Sequence, residues 1–241
     1  MKKIEFVGKS LLVEEEGTRI LVIGDLHLGY EEGVRRAGLQ LPLGIYKRTI
    51  SELEEIFDKL RDEEKKIDIV VLLGDLKHEM GRILGGEWRE VGGLIDYLNE
   101  KTKKIVIIRG NHDVMTSHIS DKKGIGIENY FIFGECCFLH GDRDFEGIHD
   151  KKIKTWVMGH FHPAVDLEDG AKSERYKCFL VGKYSGKEVI IVPSFFGVSE
   201  GINPRESEMK SVFGFNIDKF DVRIVGEKLE VLDFGKLENL D

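Results

Sequence analysis

Ile20-Leu21-Val22-Ile23-Gly24-Asp25-Leu26-His27 decides how this chain reads: a short, mostly β-branched apolar run leads through a glycine into an Asp-x-His pair. An apolar run of strand length, without polar alternation, predicts a strand covered on both faces. The same plan recurs along the chain. Ile69-Val70-Val71-Leu72-Leu73 precedes Gly74-Asp75, and Ile105-Val106-Ile107-Ile108 precedes Gly110-Asn111-His112-Asp113. Cys136-Cys137-Phe138-Leu139 stops at His140-Gly141-Asp142, and Thr155-Trp156-Val157-Met158 stops at Gly159-His160-Phe161-His162-Pro163. Five predicted strands therefore end at polar motifs.

Between the first two runs, Ile50, Leu53, Phe57 and Leu60 fall at helical spacing, with Ser51 and acidic residues near the start. That pattern predicts an amphipathic helix. Val91, Leu94, Ile95 and Leu98 repeat it before the third run, and a shorter helix is expected over Phe145 to Lys152. Strands alternating with helices argue for an α/β fold. From Arg175 onward, runs such as Glu188-Val189-Ile190-Ile191-Val192 and Lys228-Leu229-Glu230-Val231-Leu232 predict further, antiparallel strands. Gly197 to Ser211 reads as a long polar loop. Residues 1–241 show no composition break, so a single domain is expected.

Composition narrows the function. The chain has 241 residues, 41% hydrophobic and 33% charged, and none of its apolar runs reaches the roughly 18–20 residues of a membrane span. The N-terminus lacks the apolar stretch of a secretory signal, so a cytoplasmic location is expected and no membrane partner. Cys136, Cys137 and Cys178 are too few and too awkwardly spaced for a disulfide framework and read as buried thiols. A formal net charge of −8 argues against a general electrostatic grip on nucleic acid.

The polar motifs carry the chemistry, because functional groups in α/β sheets collect beyond the carboxyl ends of strands. Of the eight histidines, His27, His112, His140, His160 and His162 lie in these motifs, and His78 lies three residues past Asp75. Residues two apart in an extended segment point the same way, so an Asp-x-His or His-x-His pair can reach one ion. The candidate ligands are Asp25, His27, Asp75, Asn111, His140, His160 and His162. Carboxylate, imidazole and amide donors without thiolate suit Mn²⁺, Fe²⁺, Zn²⁺, Co²⁺ or Ni²⁺. Seven donors exceed what one catalytic ion with an open position needs. Two divalent ions sharing a carboxylate fit better, and a pair roughly 3.5–4 Å apart can activate a bridging water and hold a phosphoryl oxygen for in-line attack. With two carboxylates and one hydroxide, such a site keeps a net charge of about +1 and attracts an anion, which makes a phosphate ester the natural substrate class.

At this point the sequence resembles the calcineurin-like metallophosphoesterase superfamily, over roughly Ile20 to Pro193 and through all five motifs in order. The resemblance implies two mixed β-sheets packed as a sandwich and flanked by helices. It also implies one ion held by Asp25, His27, Asp75 and His162, and a second by Asp75, Asn111, His140 and His160, with Asp75 as the bridge. The histidine matching His112 contacts phosphate in such enzymes and can protonate the leaving oxygen, so His112 is the expected catalytic acid. Gly74-Asp75-Leu76-Lys77-His78 looks like the small SbcD-related, ICC-like phosphoesterases associated with DNA repair. Larger nuclease relatives add a DNA-binding cap, and the stretch after Pro193 leaves little room for one.

Function is thus expected to be hydrolysis of phosphodiester, or alternatively phosphomonoester, bonds in nucleotides or single-stranded nucleic acid, with manganese the foremost metal. A metal-bound scaffold in a repair assembly and a small-metabolite phosphatase are the competing readings. His78 either supports a ligand or substrate or is a plain surface residue, and Asp113 either joins the site or braces its loop. Lys77, Arg109 and Arg143 lie near motifs but are expected to be solvated, and His118 and His149 receive no role. Phe195-Phe196-Gly197-Val198 reads as core or dimer contact. A homodimer would enlarge the substrate-binding surface of so small a subunit.

Overall fold

Strands that are apolar on both faces need cover on both faces, and two stacked sheets with outer layers provide it. A computed structural model describes residues 2–39, 44–113, 115–170, 172–205 and 211–240. The first sheet contains β1 (Lys3–Val7), β2 (Ser10–Glu15), β3 (Thr18–Ile23), β4 (Ile69–Leu72), β5 (Lys104–Ile108) and β6 (Ile127–Glu128), in that spatial order. Strands β1 to β3 are antiparallel, while β3, β4, β5 and β6 run parallel. The second sheet contains β7 (Tyr130–Phe133), β8 (Cys136–Leu139), β9 (Thr155–Met158), β10 (Ala164–Asp169), β11 (Lys172–Tyr184), β12 (Lys187–Ile191), β13 (Asp221–Val225) and β14 (Val231–Lys236). Its order is β14-β13-β11-β12-β9-β8-β7, with β10 paired to β11. Both sheets are mixed, and the protein is an α/β sandwich.

Alternation within β3 shows how the layers form. Leu21 and Ile23 face α2 (Ile45–Asp62) and α3 (Gly85–Lys101), packing with Leu53, Ile56 and Leu94. Ile20 and Val22 point the other way, against Phe138, Val157 and Ile190 of the second sheet. The outer face of the second sheet buries Trp156, Met158 and Val189 beneath Ile148, Phe213 and Phe220. All three cysteines are free and buried. Among the described residues, no helix is long and apolar enough to cross a membrane.

Several expectations are corrected. Phe145 to Lys152 forms only a single 3-10 turn, Glu146–His149, whose Ile148 carbonyl accepts the Trp156 indole N–H at 3.0 Å. Helix α2 starts earlier than Ser51 suggests, because Glu31 from α1 (Tyr30–Arg36) accepts the N–H groups of Gly44 at 2.6 Å and Ile45 at 3.3 Å. Strand β12 is antiparallel to β11 but parallel to β9. Lys228 and Leu229 sit in a left-handed turn, so the last strand begins only at Val231. The expected loop over Gly197 to Ser211 contains no strand or helix where described, and residues 206–210 lie outside the described residues.

Candidate metal centre

Strands β3, β4 and β5 are parallel neighbours, so the segments that follow them emerge side by side. Backbone bonds zip these exits together: His27 N–H donates to Asp75 O and Leu28 N–H to Leu76 O, each at 2.8 Å. Strands β8 and β9 are parallel neighbours in the other sheet, and the Gly159 N–H donates to His140 O at 3.0 Å. The two groups meet across the sandwich. His140 Nδ1 reaches Leu73 O at 2.7 Å, and the His160 N–H lies 3.1 and 3.0 Å from the two Asp25 carboxylate oxygens.

All seven expected ligands converge there. Asp25, His27 and His162 offer donor atoms within 4.8 Å of one another, as do Asp75, His140 and His160. His27 Nε2 faces His162 Nε2 at 3.4 Å, and His162 Nε2 lies 3.3 Å from Asp25 Oδ1. Asn111 Oδ1 lies 3.0 Å from His140 Nε2, which is 3.1 Å from His160 Nδ1. Asp75 Oδ2 stands between the groups, 3.9 Å from His27 Nε2 and 3.6 Å from His140 Nε2. Lone pairs turned toward one another at such distances repel unless a cation or proton lies between them, so the donor set fits divalent metal ions. With Nδ1–H donated to the Leu73 carbonyl, His140 presents a bare Nε2, the tautomer a ligand needs.

Backbone conformation departs from the expectation. Asp25, His27, Asp75, His160 and His162 do not continue their strands: their φ values are 49°, 46°, 49°, 72° and 46°. Left-handed backbone costs a non-glycine residue roughly 1–2 kcal/mol, so five such residues at one point mark strain retained at a functional site. The side chains therefore converge through tight turns at the strand ends, not through the strand pleat. Close packing explains two of the glycines. A Cβ on Gly159 would lie 2.6 Å from Asp25 Oδ2, and one on Gly110 would collide with the Asp75 carboxylate.

Burial and charge divide the donors. Burial raises the Asp25 carboxyl, but His162, His140 and His27 overcome it and hold the group below the usual carboxylate range. Asp75 goes the other way: burial, helped by Asp25 and Asp113, raises it to about 6 against the pull of His140 and the His112 N–H. Burial lowers His27 to about 3 and, with His140 beside it, His160 to about 4, so both imidazoles are neutral donors at neutral pH. Burial also depresses His140, but Asp25 and Asp75 outweigh it and leave the group raised.

His112 stands at the edge of the cluster. Its N–H donates to Asp75 Oδ1 at 2.9 Å, its Nδ1 lies 2.5 Å from the His78 carbonyl, and its Nε2 lies 4.0 Å from Asp75 Oδ2. With His27 and Asp75 it forms a third group of donors, so the geometry allows His112 to act as ligand or as proton donor. Asp113 is buried and braces two loops, accepting from Leu76 N–H at 3.2 Å, Gly110 N–H at 2.9 Å and the Thr116 hydroxyl at 2.8 Å. His78 is half-buried, its ring 5.5 Å from His27 and 4.8 Å from Tyr30, and burial next to His112 lowers its pKa. Arg109, Arg143, His118 and His149 are exposed. Lys77, expected in solvent, is completely buried.

Residues outside the five motifs also shape the site: Ser194 and Lys177, for which the motifs predict no role, and Phe196, expected as core or dimer contact. Ser194 Oγ donates to Asp25 O at 2.9 Å, and Phe196, which is buried, sets its ring 5.5 Å from His27. Lys177 donates to Ser194 O at 2.8 Å and to Phe196 O, fixing that loop from behind; burial next to Lys9 lowers its ammonium to about 7. Ser194, a polar residue just past the apolar run that ends at Val192-Pro193, is the signal the sequence offers.

This α/β sandwich, with nitrogen and oxygen donors gathered at the carboxyl ends of five strands, defines a metallophosphoesterase-type fold with a candidate metal site. The family profile described as calcineurin-like phosphoesterase matches residues 18–199, and the chain belongs to that family. Among solved structures, nuclease MPE from Pseudomonas putida is similar at 17% identity and a TM-score of 0.64, covering 97% of this chain and 100% of that one. Vacuolar protein sorting 29 from Cryptosporidium parvum, at 16% identity and a TM-score of 0.40, covers 90% of this chain and 97% of its own. The phosphoesterase YfcE from E. coli, at 14% and 0.41, covers 90% and 98%. The first supports the shared fold, and the other two carry no argument. A search of curated proteins finds no match.

Proposed function

We propose that this protein is a two-metal phosphodiesterase acting on nucleotides or nucleic-acid ends. One observation carries the reading: seven nitrogen and oxygen donors from five separate segments converge, and five of those residues hold left-handed backbone to do so. In this reading Asp25, His27, Asp75 and His162 hold one ion, and Asp75, Asn111, His140 and His160 the other. Bound there, two divalent ions supply Lewis acidity and an ionised water near neutral pH.

The remaining work falls to the chain's own side chains. Asp25 and Asp75 are the cluster's two carboxylates, so the loaded site stays positive and draws a phosphate diester despite the acidic protein around it. As an imidazolium, His112 keeps its Nδ1 proton on the His78 carbonyl and gives the Nε2 proton to the leaving oxygen, which is the step an alkoxide leaving group most needs. Its Nδ1 is engaged by a carbonyl, which leaves Nε2 as the atom turned to the cluster. The Pseudomonas putida neighbour is a nuclease by description, so single-stranded DNA ends are the first biological substrates to try.

The test is turnover of bis(p-nitrophenyl) phosphate with Mn²⁺, followed by a panel of single-stranded DNA, cyclic nucleotides and phosphomonoesters. Diester turnover that disappears with chelator is expected. Absence of turnover by folded protein with every divalent metal tried counts against the proposal, and a preference for phosphomonoesters would move it to a small-metabolite phosphatase.

A further inference from the structure

The segment just past Asp75 is held as firmly as the cluster, although the bonds that hold it involve none of the seven donors' side chains. His78 N–H donates to Leu28 O at 3.0 Å, and His78 O meets His112 Nδ1 at 2.5 Å. One residue further, side chains grip both backbone groups of Glu79. Its N–H donates to Glu87 Oε1 at 2.7 Å, and its carbonyl accepts from the Lys77 ammonium. Glu87 Oε2 also accepts the Leu84 N–H at 2.7 Å, so one carboxylate closes the loop 79–84 at both ends.

Lys77 and Glu87 are both 0% exposed. Taking charges out of water is costly, and the start of α3 could have been capped by a serine or asparagine at position 84 without a buried carboxylate. Two buried charges of opposite sign instead hold the two sides of one residue in a partly exposed loop: Glu87 takes the N–H of the His78–Glu79 peptide and Lys77 the carbonyl of the Glu79–Met80 peptide. The first of these peptides carries the His78 carbonyl, whose partner is His112. We infer that Glu87 and Lys77 are positioning residues for His112: by fixing the two peptides that flank Glu79 they hold the His78 carbonyl where it orients the imidazole with Nε2 toward the substrate phosphate. A carbonyl is a neutral acceptor, so this arrangement keeps one proton on Nδ1 and sets the ring's direction without adding a charge; the proton given to the leaving oxygen is the second one, on Nε2 of the imidazolium.

The inference rests on the reading of His112 as the proton donor. In diester hydrolysis, water oxygen forms the new P–O bond and loses a proton to solvent. The bond to the leaving oxygen breaks with its electron pair, and His112 Nε2 protonates that oxygen. Loss of orientation should therefore matter little for a leaving group that is stable as an anion and much for one that is not.

The experiment compares bis(p-nitrophenyl) phosphate with diphenyl phosphate, in Mn²⁺, for wild type, Glu87→Gln, Lys77→Met, His112→Ala and the Glu87→Gln/His112→Ala double variant. Elemental analysis of each protein accompanies the kinetics. Glu87→Gln is expected to lower kcat on diphenyl phosphate by roughly 10- to 100-fold and on the nitrophenyl ester by less than about threefold, with KM and metal content unchanged. Added to His112→Ala, it should cost nothing more. Lys77→Met frees the next peptide, on the other side of Glu79, and carries the same expectation if Glu87→Gln does not fold. Equal losses on both esters, loss of metal, or additivity with His112→Ala would overturn the inference. If His112→Ala itself fails to discriminate between the esters, or wild type turns over neither, the reading of His112 falls. If His112→Ala discriminates while Glu87→Gln and Lys77→Met do not, only the positioning role falls.

Discussion

Replacing Asp75 by asparagine should make the metal-free protein more stable while it abolishes activity. The carboxyl is raised from 3.8 to about 6 by burial among Asp25 and Asp113. A folded-state pKa above the unfolded one means that ionising the group works against folding, and the penalty is complete above the folded value. At about 1.4 kcal/mol per tenfold change in proton affinity, Asp75 destabilises the chelated protein by about 3 kcal/mol at pH 7.5. The side chain is 4% exposed, so solvent does little to screen this cost. Asparagine keeps the shape and an Oδ1 for the His112 N–H at 2.9 Å, and it places an amide donor where Oδ2 stands 3.6 Å from His140 Nε2. For a chain of this length, about 3 kcal/mol corresponds to a Tm higher by roughly 6–12 °C. The assay is calorimetric melting in EDTA at pH 7.5 and 4.5; at the lower pH, where Asp75 is largely protonated in the folded state, the gain should shrink to about 1 kcal/mol. Mn²⁺ at about a hundred times its Kd should stabilise wild type by about 2.7 kcal/mol and leave Asp75→Asn unmoved. A variant that melts below wild type in EDTA, or that gains as much from Mn²⁺, refutes the reasoning.

Other outcomes follow from the same geometry. His112→Ala should cut turnover by roughly 100-fold or more with metal content near wild type, checked by steady-state kinetics beside elemental analysis; an emptied site would make His112 a ligand instead. Gly110→Ala drives a methyl into the Asp75 carboxylate and should lower metal affinity, read by calorimetric titration with Mn²⁺. Acid should destabilise the chelated protein. His27 and His160, lowered to about 3 and about 4 from 6.5, leave the unfolded state binding two protons more as pH falls below 6.5, and Asp75, raised to about 6, returns one to the folded state. Stability should therefore fall by about 1.4 kcal/mol per pH unit between about pH 6 and 4, and denaturant titrations across that range would show it.

Much of this arrangement can be read in the sequence, for reasons particular residues make plain. Strands β3, β4, β5, β8 and β9 declare themselves because burial on both faces demands unbroken apolar runs, and α2 and α3 because one buried stripe sets a helical period. The β1–β2 hairpin is less visible: β1 is only partly buried, and charged Lys3 and Glu5 alternate with Ile4 and Phe6. The direction of β12 is not written in Lys187-Glu188-Val189-Ile190-Ile191 at all, since the same pattern serves parallel β9 and antiparallel β11. That these seven residues converge was legible, but the left-handed backbone of five of them was not, because Asp-x-His spacing suits an extended segment equally well. The burial of Lys77 and Glu87 was not legible, because their peptide partners are local in sequence and only the packing around them excludes water.

Whether the seven donors hold two ions is settled most directly by anomalous diffraction from crystals grown with Mn²⁺. The account predicts two anomalous peaks roughly 3.5–4 Å apart, with Asp75 touching both. A single peak, or none among Asp25, His27, Asp75, Asn111, His140, His160 and His162, would contradict it.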